Sequence, residues 1–310
     1  MKKLLILLLF PIFCLSQNNY KIETVDIDNF WKAYDLLVFA PTKADSIATI
    51  QEHYIDKATD YFKVFIKKRK FTAKEYVKKI KKYPKFWKSI RPLTENIESR
   101  KSEIEKTFEE YRKILPDFKQ PNVCFAIGTL RTGGTINKGL ILIGSEIAAS
   151  THETDTSEMS GWLKSIIGNT GDIVSMIAHE AVHTQQFNKK KFDLLIGTMS
   201  EGIADFITFD LLGLSINKKV YEYGENHECE LWKAFDNDLK NHEKEYRRWL
   251  YQGNRSKDKP ADLGYFIGYK IAKSYYNKQK DKKKAIINLL NVKKYKMIFE
   301  ESKYWLESCN

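Results

Sequence analysis

Apolar positions recur every three or four residues through the first third of the chain: Phe30, Tyr34, Leu37 and Val38, then Tyr61, Phe62 and Phe65, then Ile97, Ile104, Phe108, Tyr111 and Leu115. An α-helix presents this period to a core, so residues 27–115 are expected to form charged amphipathic helices, divided at Pro84 and Pro92. No chemistry is visible in them. From Asn122 the pattern changes. Val123–Ile127 and Leu140–Ile143 are apolar runs of strand length, separated by a turn whose Gly133 and Gly134 supply the necessary backbone freedom. Helical periodicity returns at Ile173. The expected class is α+β, mainly α-helical, with a small sheet.

Residues 173–205 depart from ordinary amphipathicity. Ile173, Val174, Met176, Ile177, Ala178, Ala181 and Val182 place apolar side chains all round a helix, which marks it as buried. His179, Glu180 and His183 interrupt it, and burying them is costly unless something satisfies them. Positions i and i+4 share a helix face, so both imidazoles aim at one point with Glu180 beside it. Zinc takes neutral imidazoles together with a third protein ligand, and keeps a position open for water where the site is catalytic. Glu201 is the candidate third ligand, on a second apolar helix that carries Ile203, Phe206, Ile207, Leu211 and Leu212 and ends at Gly213. Asp205 lies one turn further on the same face, where it can accept the spare ring N–H of a liganding histidine. Thr198 with Glu201 three residues later also fits a capping box, in which Glu201 would turn back to the helix start.

His179-Glu180-x-x-His183 followed by Glu201-Gly202-x-Ala204-Asp205 resembles the gluzincin-type metallopeptidases, in which two histidines and a downstream glutamate hold zinc. More narrowly, the chain resembles the predicted zinc-dependent proteases related to bacterial gliding-motility lipoproteins. Gly133-Gly134, the run Leu140–Ile143 and the block Gly264 to Tyr269 match as well. The resemblance implies a zincin-like catalytic domain over residues 119–310, Zn2+ as cofactor and a peptide or protein as substrate. Hydrolysis would use a metal-activated water, with Glu180 as general base.

The zincin-like arrangement also implies a strand at the cleft edge, and Leu140, Ile141, Leu142 and Ile143 are assigned to pair with an extended substrate. An internal hairpin strand is the alternative. In the helix that begins near Pro260, Tyr265 and Tyr269 share a face; Tyr269 is assigned the hydrogen bond to the developing oxyanion, against simple packing at a helix interface. The competing function is a non-catalytic or structural-zinc accessory protein of an envelope or gliding-type machinery.

Composition limits the other classes. Lys2 and Lys3 precede Leu4 to Phe10, an apolar run too short to span a bilayer, and residues 1–16 read as a signal peptide. Cleavage after Ser16 suits the small-residue rule; a lipid anchor at Cys14 is disfavoured by Phe13 and Pro11. No later run is apolar for long enough to cross a membrane, so an extracytoplasmic location is expected, with residues 17–118 as an N-terminal helical region. Removing Lys2 and Lys3 lowers the formal charge from +12 to +10. The basic runs at residues 67–70, 78–82 and 278–284 lie opposite apolar helix positions and read as solvated faces, and export also argues against a nucleic-acid partner. Cys124, Cys229 and Cys309 remain after cleavage. Unless chains pair, at least one is free, and a bridge between Cys229 and Cys309 is one open possibility. Polar surface placement accounts for His152-Glu153, and His227-Glu228-Cys229 lacks a partner pair at ligand spacing.

Overall fold

The structure is a computed structural model that describes residues 20–168, 172–188, 190–214, 218–242, 244–252, 259–306 and 309. The signal sequence assigned to residues 1–16, with Cys14, lies outside the described residues. Strand β1 (Ile22–Glu23) leads into helices α1 (Val25–Leu36), α2 (Lys43–Ile50), α3 (Asp60–Arg69), α4 (Ala73–Lys82), α5 (Pro84–Glu95) and α6 (Lys101–Ile114). Strands β2 (Asn122–Ala126), β3 (Gly134–Asn137) and β4 (Leu140–Gly144) follow, with the short helices α7 (Ser145–Ala148) and α8 (Gly161–Ile166). The rest is helical: α9 (Ile173–Gln185), α10 (Leu194–Phe206), α11 (Lys218–Asn226), α12 (Glu228–Asn241), α13 (Gly264–Lys278), α14 (Lys282–Leu290) and α15 (Tyr295–Ser302). The class is α+β and mainly helical.

Local chemistry starts these helices where the chain supplies caps. The side chains of Thr42, Thr59 and Thr72 accept backbone N–H groups at the starts of α2, α3 and α4, and Pro84 opens α5, where a missing N–H is harmless. Asp172 and Asp193 do the same for α9 and α10. Because Asp193 caps α10, Thr198 lies inside the helix, and the capping-box alternative for Glu201 falls.

The sheet has the order β1-β2-β4-β3. β2 runs parallel to β1 and β4, while β3 and β4 form an antiparallel hairpin with Asn137 opposite Leu140. This corrects one expectation. The two apolar runs are parallel neighbours, and Leu140, Ile141, Leu142 and Ile143 lie in an internal hairpin strand paired on both sides, with no free edge for a substrate. The physical reason is legible afterwards: a run with no polar alternation is buried on both faces, as central strands in parallel pairing are. The edges of the sheet are β1 and β3, and of these β3 lines the cavity; at four residues, with Ile136 as its single apolar side chain, it is too short to stand out in the sequence.

The N-terminal helices pack onto this sheet. An aromatic cluster of Phe30, Tyr54, Tyr76 and Trp87 fills their interior, and Tyr54 and Tyr76 both donate to the Ile127 carbonyl at 2.7 Å, just beyond β2. On the other side α9 lies against β3, β4 and α6, and α10 packs between α9 and α13. The crossing of α10 and α13 is close because Gly202 meets Gly268: a Cβ on Gly202 would stand 2.1 Å from the Gly268 carbonyl carbon. Cys229 and Cys309 form a disulfide with Cα atoms 4.6 Å apart, and Cys124 is a buried free thiol. Among the described residues no helix is long and apolar enough to cross a membrane.

The connection from β2 to β3 is held from inside. Glu146, fully buried at the start of α7, accepts the N–H groups of Gly128 at 2.7 Å and Leu130 at 2.9 Å, which have no ladder partner in this buried loop. Burial pushes its carboxyl up to about 7, against the lowering effect of those N–H groups. The unfolded chain releases this proton near 4.5 and the folded chain near 7, so stability falls as pH rises through that window. At about 1.4 kcal/mol per pKa unit the loss is roughly 3 kcal/mol. Denaturant unfolding of wild type and Glu146→Gln should therefore show their stability difference moving by about that amount in the variant's favour between pH 4.5 and 7. A constant difference would remove Glu146 as the titrating group.

Candidate metal centre

α9 and α10 bring together the side chains that the His179–His183 spacing singles out. His179 Nε2 stands 3.0 Å from His183 Nε2 and 3.3 Å from Glu201 Oε2, and His183 Nε2 stands 3.1 Å from the same oxygen. His179 and Glu201 are buried and His183 is partly so.

The remaining ring nitrogens have partners of their own. His179 Nδ1 lies 2.7 Å from Asp205 Oδ1, a carboxylate oxygen that can only accept, so Nδ1 carries the proton. Tyr221 donates to the other Asp205 oxygen at 2.6 Å and holds that carboxylate in place. Gln186 spends its amide N–H on the Ser200 carbonyl at 2.8 Å, which turns its Oε1 toward His183 Nδ1 at 3.0 Å, so that nitrogen also donates. With neutral rings, both Nε2 atoms present lone pairs, and together with Glu201 Oε2 they form three acceptors that could hold a cation; with the charged rings that the carboxylates favour, each Nε2–H donates to Glu201 instead. Ligand atoms on a tetrahedral zinc stand about 3.3 Å apart, and this triangle fits that size.

Other contacts set the details. Tyr251 donates to Glu201 Oε1 at 2.5 Å, which leaves Oε2 alone to face the histidines. Burial works against charge on His179, but the Asp205 and Glu201 carboxylates outweigh it and hold the imidazole well above its usual range. Burial likewise opposes ionisation of Glu201, and the two histidines hold it well below the usual carboxylate range. Burial raises Glu180, and the histidines partly offset it. Glu180 makes no hydrogen bond or ion pair among the described residues. It lies against Gly134 of β3, where a Cβ would come within 2.6 Å of its Oε1.

The three acceptors and Glu180 open onto a cavity of about 1050 Å3, lined among others by Arg69, Gly133, Gly134, Thr135, Ile136, Phe192, Tyr251 and Tyr265. Tyr269 is absent from that lining. Its hydroxyl donates to Asp210 at 2.6 Å and receives Lys273 Nζ at 3.0 Å, in a polar cluster one turn further along α13. The oxyanion role assigned to Tyr269 is therefore corrected. The neighbouring turn, Tyr265, faces the site instead, its ring stacked on His179 with centroids 6.1 Å apart. His227 stacks on Tyr223 and its companion Cys229 is in the disulfide, so that stretch is structural.

Residues 15–305 match the family described as gliding motility protein GldB. The chain belongs to the GldB family. No curated protein and no solved structure matches it. In this GldB-family chain, two cavity residues escaped the sequence reading. Tyr251 stands alone in an irregular segment and carried no pattern. Arg69 was absorbed into the run of residues 67–70, although its spacing from Phe62 and Phe65 puts it on the apolar face of α3.

The chain should bind about one zinc, measured by elemental analysis after titration, and His183→Ala and Glu201→Ala should each abolish it. Asp205→Ala should retain binding but weaken it about 10- to 100-fold in chelator competition, because the ring of His179 loses its orienting acceptor. Absence of zinc binding by the wild type would remove the metal centre.

Proposed function

We propose that this protein is an extracytoplasmic accessory component of a gliding-type machinery, with a zinc ion held in its cavity by His179, His183 and Glu201. The family match over residues 15–305 carries the cellular part of the reading, and a lipid anchor at Cys14 suits a lipoprotein family better than the residues around that cysteine suggest. The metal part rests on His179, His183 and Glu201, whose inner atoms converge at the spacing of ligands on one ion while their outer atoms are held by Asp205, Gln186 and Tyr251.

One observation favours a second reading, a gluzincin-type metallopeptidase on a zincin-like core. Glu180 sits beside the proposed metal ligands, makes no hydrogen bond or ion pair among the described residues and faces an open cavity, where a structural site has no use for it. Bound zinc supplies a Lewis acid that polarises a carbonyl and makes water more acidic. Glu180 is placed to take a proton from the attacking water and to deliver it to the amine nitrogen as the C–N bond breaks. The free edge of β3 offers backbone groups to an extended peptide, the role the sequence had assigned to Leu140–Ile143. Tyr265 is the phenol on the cavity wall that could donate to an oxyanion, since the Tyr251 hydroxyl is spent on Glu201.

Glu180→Gln separates the two. It should keep the fold and the zinc. If the protein is a hydrolase, peptide cleavage by the purified variant should fall by about 100-fold or more and gliding of cells carrying it should fail. If the protein is an accessory component, the variant should support gliding as wild type does, while His183→Ala, which loses the metal, should not.

A further inference from the structure

Arg69 ends α3, the helix whose Phe62 and Phe65 are buried in the N-terminal core. Spacings of three and four residues put all three on one face, so Arg69 points inward while Lys67 and Lys70 stay exposed. Its side chain reaches the wall of the cavity that holds the metal ligands and Glu180.

A guanidinium has five N–H donors in a planar fork. That of Arg69 makes one hydrogen bond among the described residues, from Nη2 to Thr132 Oγ1 at 3.2 Å, and its buried Nε has no partner. The contrast with Arg131 on the same wall is instructive. Arg131 is committed to Glu75 at 2.7 Å and lies over the Phe71 ring. The Glu180 carboxylate acts on Arg69 through charge, yet among the described residues no ion pair joins them. The rest of the fork is committed to no protein group among the described residues, so an anion entering the cavity could accept from it.

We propose that Arg69 is the anion-recognising residue of the cavity and that its ligand is a peptide carboxylate, received by the guanidinium fork while the peptide backbone lies along β3. The proposal rests on reading the cavity as a peptide site. A planar fork matches a carboxylate bidentately, and β3 with Gly133 and Gly134 supplies backbone within the same cavity. The carboxylate is either an acidic side chain or the C-terminal group.

Three peptides on zinc-loaded protein, followed by calorimetry, distinguish these sources: acetyl-alanyl-glutamyl-alanine amide carries only a side-chain carboxylate, acetyl-alanyl-glutaminyl-alanine only a terminal one, and its amide neither. One charged peptide should bind about tenfold or more tightly than the neutral one. Arg69→Gln should erase that preference and Arg69→Lys should retain part of it, with zinc content unchanged in both. In the wild type itself, the Arg69 Nε–H resonance should shift with the preferred peptide and not with the neutral one, which keeps the test independent of how the variants fold. Equal binding of all three peptides, a preference that survives Arg69→Gln, or tighter Arg69-dependent binding of inorganic phosphate would overturn the proposal. Binding requires no turnover. A carboxylate preference without any hydrolysis would sink the peptidase reading and leave the anion site standing, and hydrolysis without the preference would do the reverse.

Discussion

The convergence of two imidazoles and a carboxylate in one buried place is the constraint around which this molecule is arranged. His179, His183 and Glu201 Oε2 stand 3.0–3.3 Å apart, with the Nδ1 protons directed to Asp205 and Gln186, so that their inner atoms share either protons or a cation. The supports extend outward in shells of hydrogen bonds: Tyr221 holds Asp205, Ser200 orients Gln186, and Tyr251 holds the second oxygen of Glu201. α10, which carries Glu201 and Asp205, packs against α9 on one side and against α13 on the other, where Gly202 and Gly268 allow a close crossing.

The sheet serves the same end. Its central strand β4 is sealed on both faces, and the edge strand β3 is delivered to the cavity by a buried loop that Glu146 holds together. The N-terminal helices are fastened to that loop through Tyr54 and Tyr76, and they contribute Arg69 to the cavity wall. The region with no visible chemistry therefore supplies one wall of the candidate site.

GldB-family membership and the acceptor cluster bear on different questions, where the protein works and what its cavity can hold. They are compatible, since an envelope component can depend on a metal for shape, for hydrolysis, or for both. Glu180 is the residue on which these possibilities divide.

The sequence alone was enough for the helical class, the convergence of His179, His183 and Glu201 and the contact of Asp205 with His179, because each of these follows from spacing within one helix or from a short connection between two. A histidine pair at i and i+4 converges whatever surrounds it. Even the inward course of Arg69 was written in its spacing from Phe62 and Phe65, though masked by the lysines beside it. What only the tertiary structure decided was adjacency between distant segments: that β4 is central and β3 an edge, that Tyr251 rather than Tyr269 meets the site, and that Arg69 faces Glu180's cavity. Local periodicity says which side of an element is buried, and the packing of whole elements decides what it is buried against.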